Sequence, residues 1–153
     1  MNGPKRKLLT LGYGAGWSCG MLREALAETG AILADIRLHP WSRTPAWRKS
    51  SLSESFGERY VHVPALGNLN YRGGGPILLA DPEQGAAQIG SILAREAAVL
   101  LLCGCRDVTA CHRKTVAEFC AARLGKRWNF DIHHLEPPHP RHPDLFAGLD
   151  LRF

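Results

Sequence analysis

The stretch Ala97-Ala98-Val99-Leu100-Leu101-Leu102-Cys103-Gly104-Cys105-Arg106-Asp107-Val108-Thr109-Ala110-Cys111-His112-Arg113 decides how the rest of the chain is read. Its first seven residues are apolar without a break. That suits a strand covered on both faces, since a strand with one wet face would alternate. Gly104 ends the run. Val116, Phe119, Cys120 and Leu124 then recur at helical spacing up to Gly125, with Asp107 or Thr109 as the expected N-terminal cap. A buried strand leading through a loop into a helix is half of a parallel βαβ unit.

Outward from this stretch the same alternation repeats. Residues 7–12, 31–37, 59–64 and 128–135 read as four more strands, joining 97–103. Between them, Ser18 is placed to cap a helix with the apolar face Met21, Leu22, Ala25 and Leu26, ended by Gly30. Asp81-Pro82-Glu83-Gln84 provides a cap, a first-turn proline and a third-position Gln ahead of Ile89, Ile92 and Leu93. Ser51 with Glu54 is expected to start a shorter helix that ends at Gly57. The pattern predicts an α/β domain over residues 1–135: a doubly wound, mostly parallel sheet of about five strands flanked by helices. Residues 136–153 form a Pro/His-rich tail, and Leu145, Phe146 and Leu149 are its means of docking.

Composition sets the outer bounds. The chain has 153 residues, 45% hydrophobic and 22% charged, with a formal net charge of +5. This is ordinary for a globular protein and excludes a wholly disordered, collagenous or coiled-coil chain. The basic surplus permits a polyanionic partner without requiring one. After Lys5-Arg6-Lys7, the apolar run Leu8 to Leu11 is broken at Gly12 and Gly14, too soon for a signal-peptide core or a membrane span. The expectation is a cytoplasmic protein with no membrane partner. Five cysteines, three of them crowded at 103, 105 and 111, favour reduced thiols over a disulfide framework.

In open α/β sheets ligands bind beyond the carboxyl ends of the strands, so the loops there carry the candidate site. Cys111, His112 and Arg113 open the last helix, where unpaired amides and the helix dipole favour anions and thiolate. Cys111 is therefore the candidate nucleophile, His112 or His62 its base, and Arg113 with Arg106 an oxyanion or phosphate clamp. Arg37, Arg43 and Arg72 lie on neighbouring loops, with Asp35 close to Arg37. Trp41 and Trp47, interleaved with Arg43, Arg48 and Lys49, suit stacked bases and phosphates. An anionic small molecule or nucleic acid is the expected partner.

Cysteines 103, 105 and 111 with His112 also invite a zinc reading. Their spacing lacks the paired C-x2-C half-sites of a zinc ribbon, so no metal ligand is assigned. Zinc binding or thiol redox chemistry stands as an alternative, beside a non-catalytic nucleic-acid module. Gly12-Tyr13-Gly14-Ala15-Gly16 fails the dinucleotide pattern because Trp17 takes the third glycine's place, and no cofactor is identified. Cys19 and Cys120 read as core thiols, His133 and His134 as structural, and His139 and His142 as tail residues.

Several of these residues together resemble a known family. Thr10-Leu11-Gly12-Tyr13, Asp35-Ile36-Arg37 with Pro40, Ser42-Arg43 and Pro45, then Tyr60 and His62 before Pro64, Leu66-Gly67, and Leu102-Cys103 followed by Cys111-His112-Arg113 are similar to the widespread bacterial family known as domain of unknown function 488. The resemblance covers roughly residues 7 to 135. It implies an α/β domain and no established activity. Many relatives carry an acidic residue two places after the first Cys, where this chain has Cys105. Tyr13 joins Asp35, Trp41 and the arginines in the candidate ligand-binding set.

Overall fold

The computed structural model describes residues 3–138. The expectations for Leu145, Phe146, Leu149, His139 and His142 lie outside the described residues. Five strands and four helices alternate: β1 (Lys5–Gly12), α1 (Cys19–Thr29), β2 (Ile32–Asp35), α2 (Lys49–Phe56), β3 (Tyr60–His62), α3 (Pro82–Leu93), β4 (Ala98–Cys103), α4 (His112–Leu124) and β5 (Asn129–His134). Every strand pair is parallel, and the order across the sheet is β3-β2-β4-β1-β5.

The apolar run of β4 takes the central place, with all six of its residues buried. Alternate side chains serve opposite faces. Val99, Leu101 and Cys103 pack with α3 and α4, while Leu100 and Leu102 pack with α1 and α2. The sheet is thus doubly wound, as the unbroken hydrophobicity of β4 requires. Truncating any one of the fully buried Leu100, Leu101 or Leu102 to alanine removes about 2–5 kcal/mol.

Two helices start where their sequences say, and the first also stops there. The Ser18 side chain accepts from the Met21 amide, and Gly30 ends α1 at φ +67°, a left-handed conformation that glycine adopts cheaply. Asp81 caps α3 through the Gln84 amide. The other two depart from expectation. Helix α2 begins at Lys49, ahead of Ser51, because the turn Pro45–Trp47 runs directly into it and Leu52 donates to the Arg48 carbonyl. Helix α4 is capped by Cys111 rather than Asp107 or Thr109, because the Asp107 carboxylate is already taken by the Thr109 amide and hydroxyl in the preceding turn.

The strand order positions the site. The connections after β1 and β2 pass to the face of α1 and α2, whereas the one after β4 passes to the face of α3 and α4. The winding direction therefore reverses on both sides of β4, and a crevice opens beyond its carboxyl end. The register levels the three central strands there, with Gly12 opposite Cys103 and Asp35 opposite Leu102.

Candidate metal centre and adjoining cleft

Strand β4 delivers Cys103 to the crevice, and the chain leaves the sheet through Gly104 and Cys105. A single turn of 3-10 helix, Val108–Ala110, folds it back, closed by the Cys111 amide donating to the Val108 carbonyl. This return places Cys111 and His112, at the start of α4, beside the two cysteines at the end of β4. The three Sγ atoms and one imidazole nitrogen lie within 4.8 Å of one another. Cys103 Sγ is 3.5 Å from Cys105 Sγ and 3.5 Å from His112 Nδ1.

The cluster is held from outside on three sides. His112 Nε2 is 3.0 Å from the Ile36 carbonyl, which can only accept, so Nε2 carries a proton and Nδ1 is the ring atom turned toward the sulfurs. The Arg113 amide donates to Cys111 Sγ at 3.4 Å, and Arg113 Nη1 donates to the Cys105 carbonyl at 3.2 Å. Gly12 permits this approach, since a Cβ there would clash with both the Cys105 carbonyl and the Arg113 guanidinium.

The charges in the cluster are uneven. Hydrogen bonds from Cys103 and Cys105 hold the Cys111 thiol far below the usual range, against the effect of burial, and the Arg113 amide adds to this. A hydrogen bond from Cys105 pulls Cys103 down, but its contact with Cys111, burial and the Cys111 charge outweigh it and push the thiol up to about 12. Cys105 is raised by its hydrogen bonds to Cys103 and Cys111. Burial opposes charge on His112, yet bonds to Cys105, Cys111 and the Ile36 carbonyl raise it to about 9. The expected thiolate is therefore at Cys111, stabilised mainly by neighbouring thiols rather than by the helix start. It is only 1% exposed.

Arg113 is 2% exposed and its Nε has no hydrogen-bond partner. None of the ion pairs among the described residues involves it. A buried guanidinium with no carboxylate bonded to it is costly; the acidic groups in its neighbourhood are the exposed Asp107, whose carboxyl is held down by Thr109 and, to a lesser extent, by Arg113, and the thiols of the cluster.

In front of the cluster lies a cleft of about 480 Å³, with Cys103, Cys105 and His112 on its inner wall and Tyr13, Arg37 and Trp41 among its other lining residues. Arg37 grips Asp35 with two hydrogen bonds, 2.8 and 2.7 Å, and its Nη1 donates to the Tyr13 hydroxyl. Tyr60 donates to the same fully buried Asp35 at 2.6 Å. Tyr13 is stacked on Trp47 at 4.6 Å. A larger, mostly apolar cavity of about 740 Å³ runs between α1 and the end of β5 and contains none of the cluster residues.

The four arginines expected to form one clamp do not converge. Arg37 is committed to Asp35 and Arg113 to the Cys105 carbonyl, while Arg43 and Arg106 are exposed and outside the cleft lining. His62 belongs to neither cluster nor cleft, and its Nε2 is bonded to the Arg37 carbonyl at 2.8 Å. Trp41 stands on the cleft rim, 61% exposed, whereas Trp47 is buried. The linear spacing keeps Cys103 and Cys105 apart from Cys111 and His112, and the 3-10 turn brings the four together in the fold. Tyr71 and Ile77 of the long loop before α3 also line the cleft; the pair Tyr71-Arg72 next to three glycines was the available sequence signal.

Residues 21–73 match the family model described as Domain of unknown function DUF488, which bears out the resemblance read from the motifs. The matched segment contains Asp35, Arg37, Trp41, Tyr60, His62 and Tyr71, and the Cys-His-Arg turn lies beyond it. No curated protein matches the chain.

Proposed function

We propose that this DUF488-matching chain is a zinc-binding α/β protein, in which Cys103, Cys105, Cys111 and His112 hold the ion in a closed tetrahedral centre. One observation carries the reading: four metal-ligating atoms of the right chemistry converge within 4.8 Å of one another. Zinc–sulfur bonds of about 2.3 Å and zinc–nitrogen bonds of about 2.0–2.1 Å give edges of roughly 3.8 Å between sulfurs and roughly 3.6 Å between sulfur and nitrogen. The Cys103–Cys105 and Cys103–His112 separations of 3.5 Å and 3.5 Å lie within a few tenths of an ångström of these edges, and with all four atoms inside 4.8 Å of one another the remaining pairs need to close by no more than about 1 Å. Three soft sulfurs and one imidazole select zinc over magnesium or calcium, which want oxygen.

The outer contacts support the same reading. A ligating histidine ordinarily donates its second ring N–H to a carbonyl or carboxylate, and His112 has the Ile36 carbonyl for this. Three thiolates and a divalent ion sum to a charge of −1, for which buried Arg113 is the matching cation. With four protein ligands the coordination sphere is complete, the arrangement of structural rather than catalytic zinc sites. The ion would tie the end of β4 to the start of α4 and, through His112, to the end of β2. Between the ligands, Arg106, Asp107, Thr109 and Ala110 are exposed and contribute little core of their own, so the metal orders this loop.

The test is metal analysis of protein purified without added metal, followed by cobalt exchange. The expected result is close to one zinc per chain and, with cobalt, intense thiolate-to-metal charge transfer with tetrahedral d–d bands, both lost in Cys103→Ser and His112→Gln. A folded, metal-free protein that takes up cobalt only in octahedral form would overturn the reading.

A further inference from the structure

The cleft in front of the metal centre has a composition that the zinc reading does not use. Three of its lining rings carry an arginine. Arg37, itself in the lining, lies over Tyr13 at 5.4 Å, while Arg48 over Trp41 at 5.1 Å and Arg72 over Tyr71 at 5.4 Å stand behind the lining rings. Arg48 Nε is fixed by the Ser42 carbonyl at 2.9 Å and Arg72 Nε by the Tyr71 hydroxyl at 2.8 Å. Neither Arg48 nor Arg72 forms an ion pair with a carboxylate among the described residues. Among the described residues no carboxylate lines the cleft, and Asp35 sits fully buried behind Arg37.

The exposed apolar surface gathers at the same place. Among the described residues, the exposed large hydrophobic side chains are Trp41, Leu69, Tyr71, Ile77 and Leu78 at 61%, 49%, 48%, 37% and 54%. All belong to the two long loops around this cleft, and Trp41, Tyr71 and Ile77 line it. Apolar surface concentrated on one rim of an otherwise well-covered domain marks a binding site. A volume of about 480 Å³ falls within the range of small-molecule sites.

From these observations we infer that the cleft binds a nucleotide unit, with its base stacked between Trp41 and Tyr71 and its phosphate held by Arg48 and Arg72. Flat aromatic faces accept any base because every base has a π-face, and the arginines beside them neutralise the phosphate. With no acidic side chain among its described lining residues and arginines behind its rings, the cleft favours an anion over a cation. A free nucleotide and a nucleotide within a single strand offer the same chemistry. The inference stands on Trp41, Tyr71, Arg48 and Arg72, none of which is a metal ligand, so it fails or succeeds independently of zinc.

Trp41 provides the readout, because the other three tryptophans, Trp17, Trp47 and Trp128, are 9%, 5% and 6% exposed. AMP, UMP, a thymidine octamer, adenosine and inorganic phosphate are titrated at low salt, following shielding of tryptophan fluorescence from acrylamide, with zinc content measured on the same sample. Nucleotides or the octamer should shield Trp41 and bind less tightly as salt rises, and tyrosine fluorescence or calorimetry should find affinity reduced roughly 5- to 150-fold in Trp41→Ala and in Tyr71→Ala. Both side chains are exposed, so neither variant disturbs the core. Octamer binding far tighter than mononucleotide identifies a strand as the source, and equal binding identifies a free nucleotide. The inference is overturned if no nucleotide or octamer shields Trp41, if both alanine variants bind as wild type does, or if inorganic phosphate competes as well as AMP.

Discussion

Replacing Arg113 with methionine should weaken zinc binding without unfolding the protein. Methionine is unbranched and of similar reach, so it keeps most of the packing under Gly12 while removing the charge. Arg113 is 2% exposed and bonded to the Cys105 carbonyl at 3.2 Å, which puts its charge against a residue whose sulfur is one of the proposed ligands. At an effective dielectric of about 20, unit charges roughly 7 Å apart attract by about 2 kcal/mol, which sets the scale expected for a guanidinium bonded to the backbone of a ligand residue. Zinc affinity should therefore fall about 30-fold. Arg113→Lys, which keeps a charge but loses the planar contact to the Cys105 carbonyl, should fall between the two. The assay is competition for zinc against a chromophoric chelator, with circular dichroism confirming that each variant is folded. Unchanged affinity in a folded Arg113→Met protein would refute the charge-compensation reasoning, and tighter binding would reverse it.

Two further predictions follow from the same geometry. Without metal near neutral pH, Cys103 and Cys105 carry protons, Cys111 is the thiolate and His112, raised to about 9, is protonated. Zinc uptake must then expel about three protons, so affinity falls steeply as pH drops; calorimetry in buffers of different ionisation enthalpy counts them, and release of fewer than two contradicts the assignment. Gly12→Ala should cost about 3 kcal/mol and lower Tm by roughly 6–12 °C, because the added carbon meets the Cys105 carbonyl and Arg113, and zinc content should fall with it. The control is Gly20→Ala, exposed in α1 with Ser18 Oγ 3.7 Å away, which should be neutral or stabilising by about 0.5 kcal/mol in thermal melts.

Much of the fold was legible because its signals are local. The uninterrupted run at Val99–Leu102 announces a strand covered on both faces, and the caps at Ser18 and Asp81 act within three residues of themselves. Strand order was not legible. Nothing in the residues of β1 or β2 says that β4, almost seventy residues after β2, will insert between them. The start of α4 was misread because Asp107 has two local uses for one carboxylate, and the Asx turn with Thr109 won.

The candidate site divides along the same line. Asp35 and Arg37 are two residues apart, and their buried pairing could be anticipated. Cys103, Cys105, Cys111 and His112 were all noticed, but their spacing argued against a metal. What unites them is the hydrogen-bonded return at Val108–Ala110, which composition does not encode. The arginines were grouped by proximity of their loops. In the folded chain, local partners claim Arg37 and Arg113, while Arg48 and Arg72, without a carboxylate partner among the described residues, lie over the cleft-lining rings Trp41 and Tyr71.

Zinc-edge X-ray absorption on the native protein tests the central claim most directly, because it counts ligands by element. The account predicts three sulfurs at about 2.3 Å and one nitrogen at about 2.0–2.1 Å, with no water or other oxygen in the sphere. A spectrum dominated by oxygen and nitrogen, with Cys103, Cys105 and Cys111 all open to alkylation in the folded, metal-loaded protein, would contradict it.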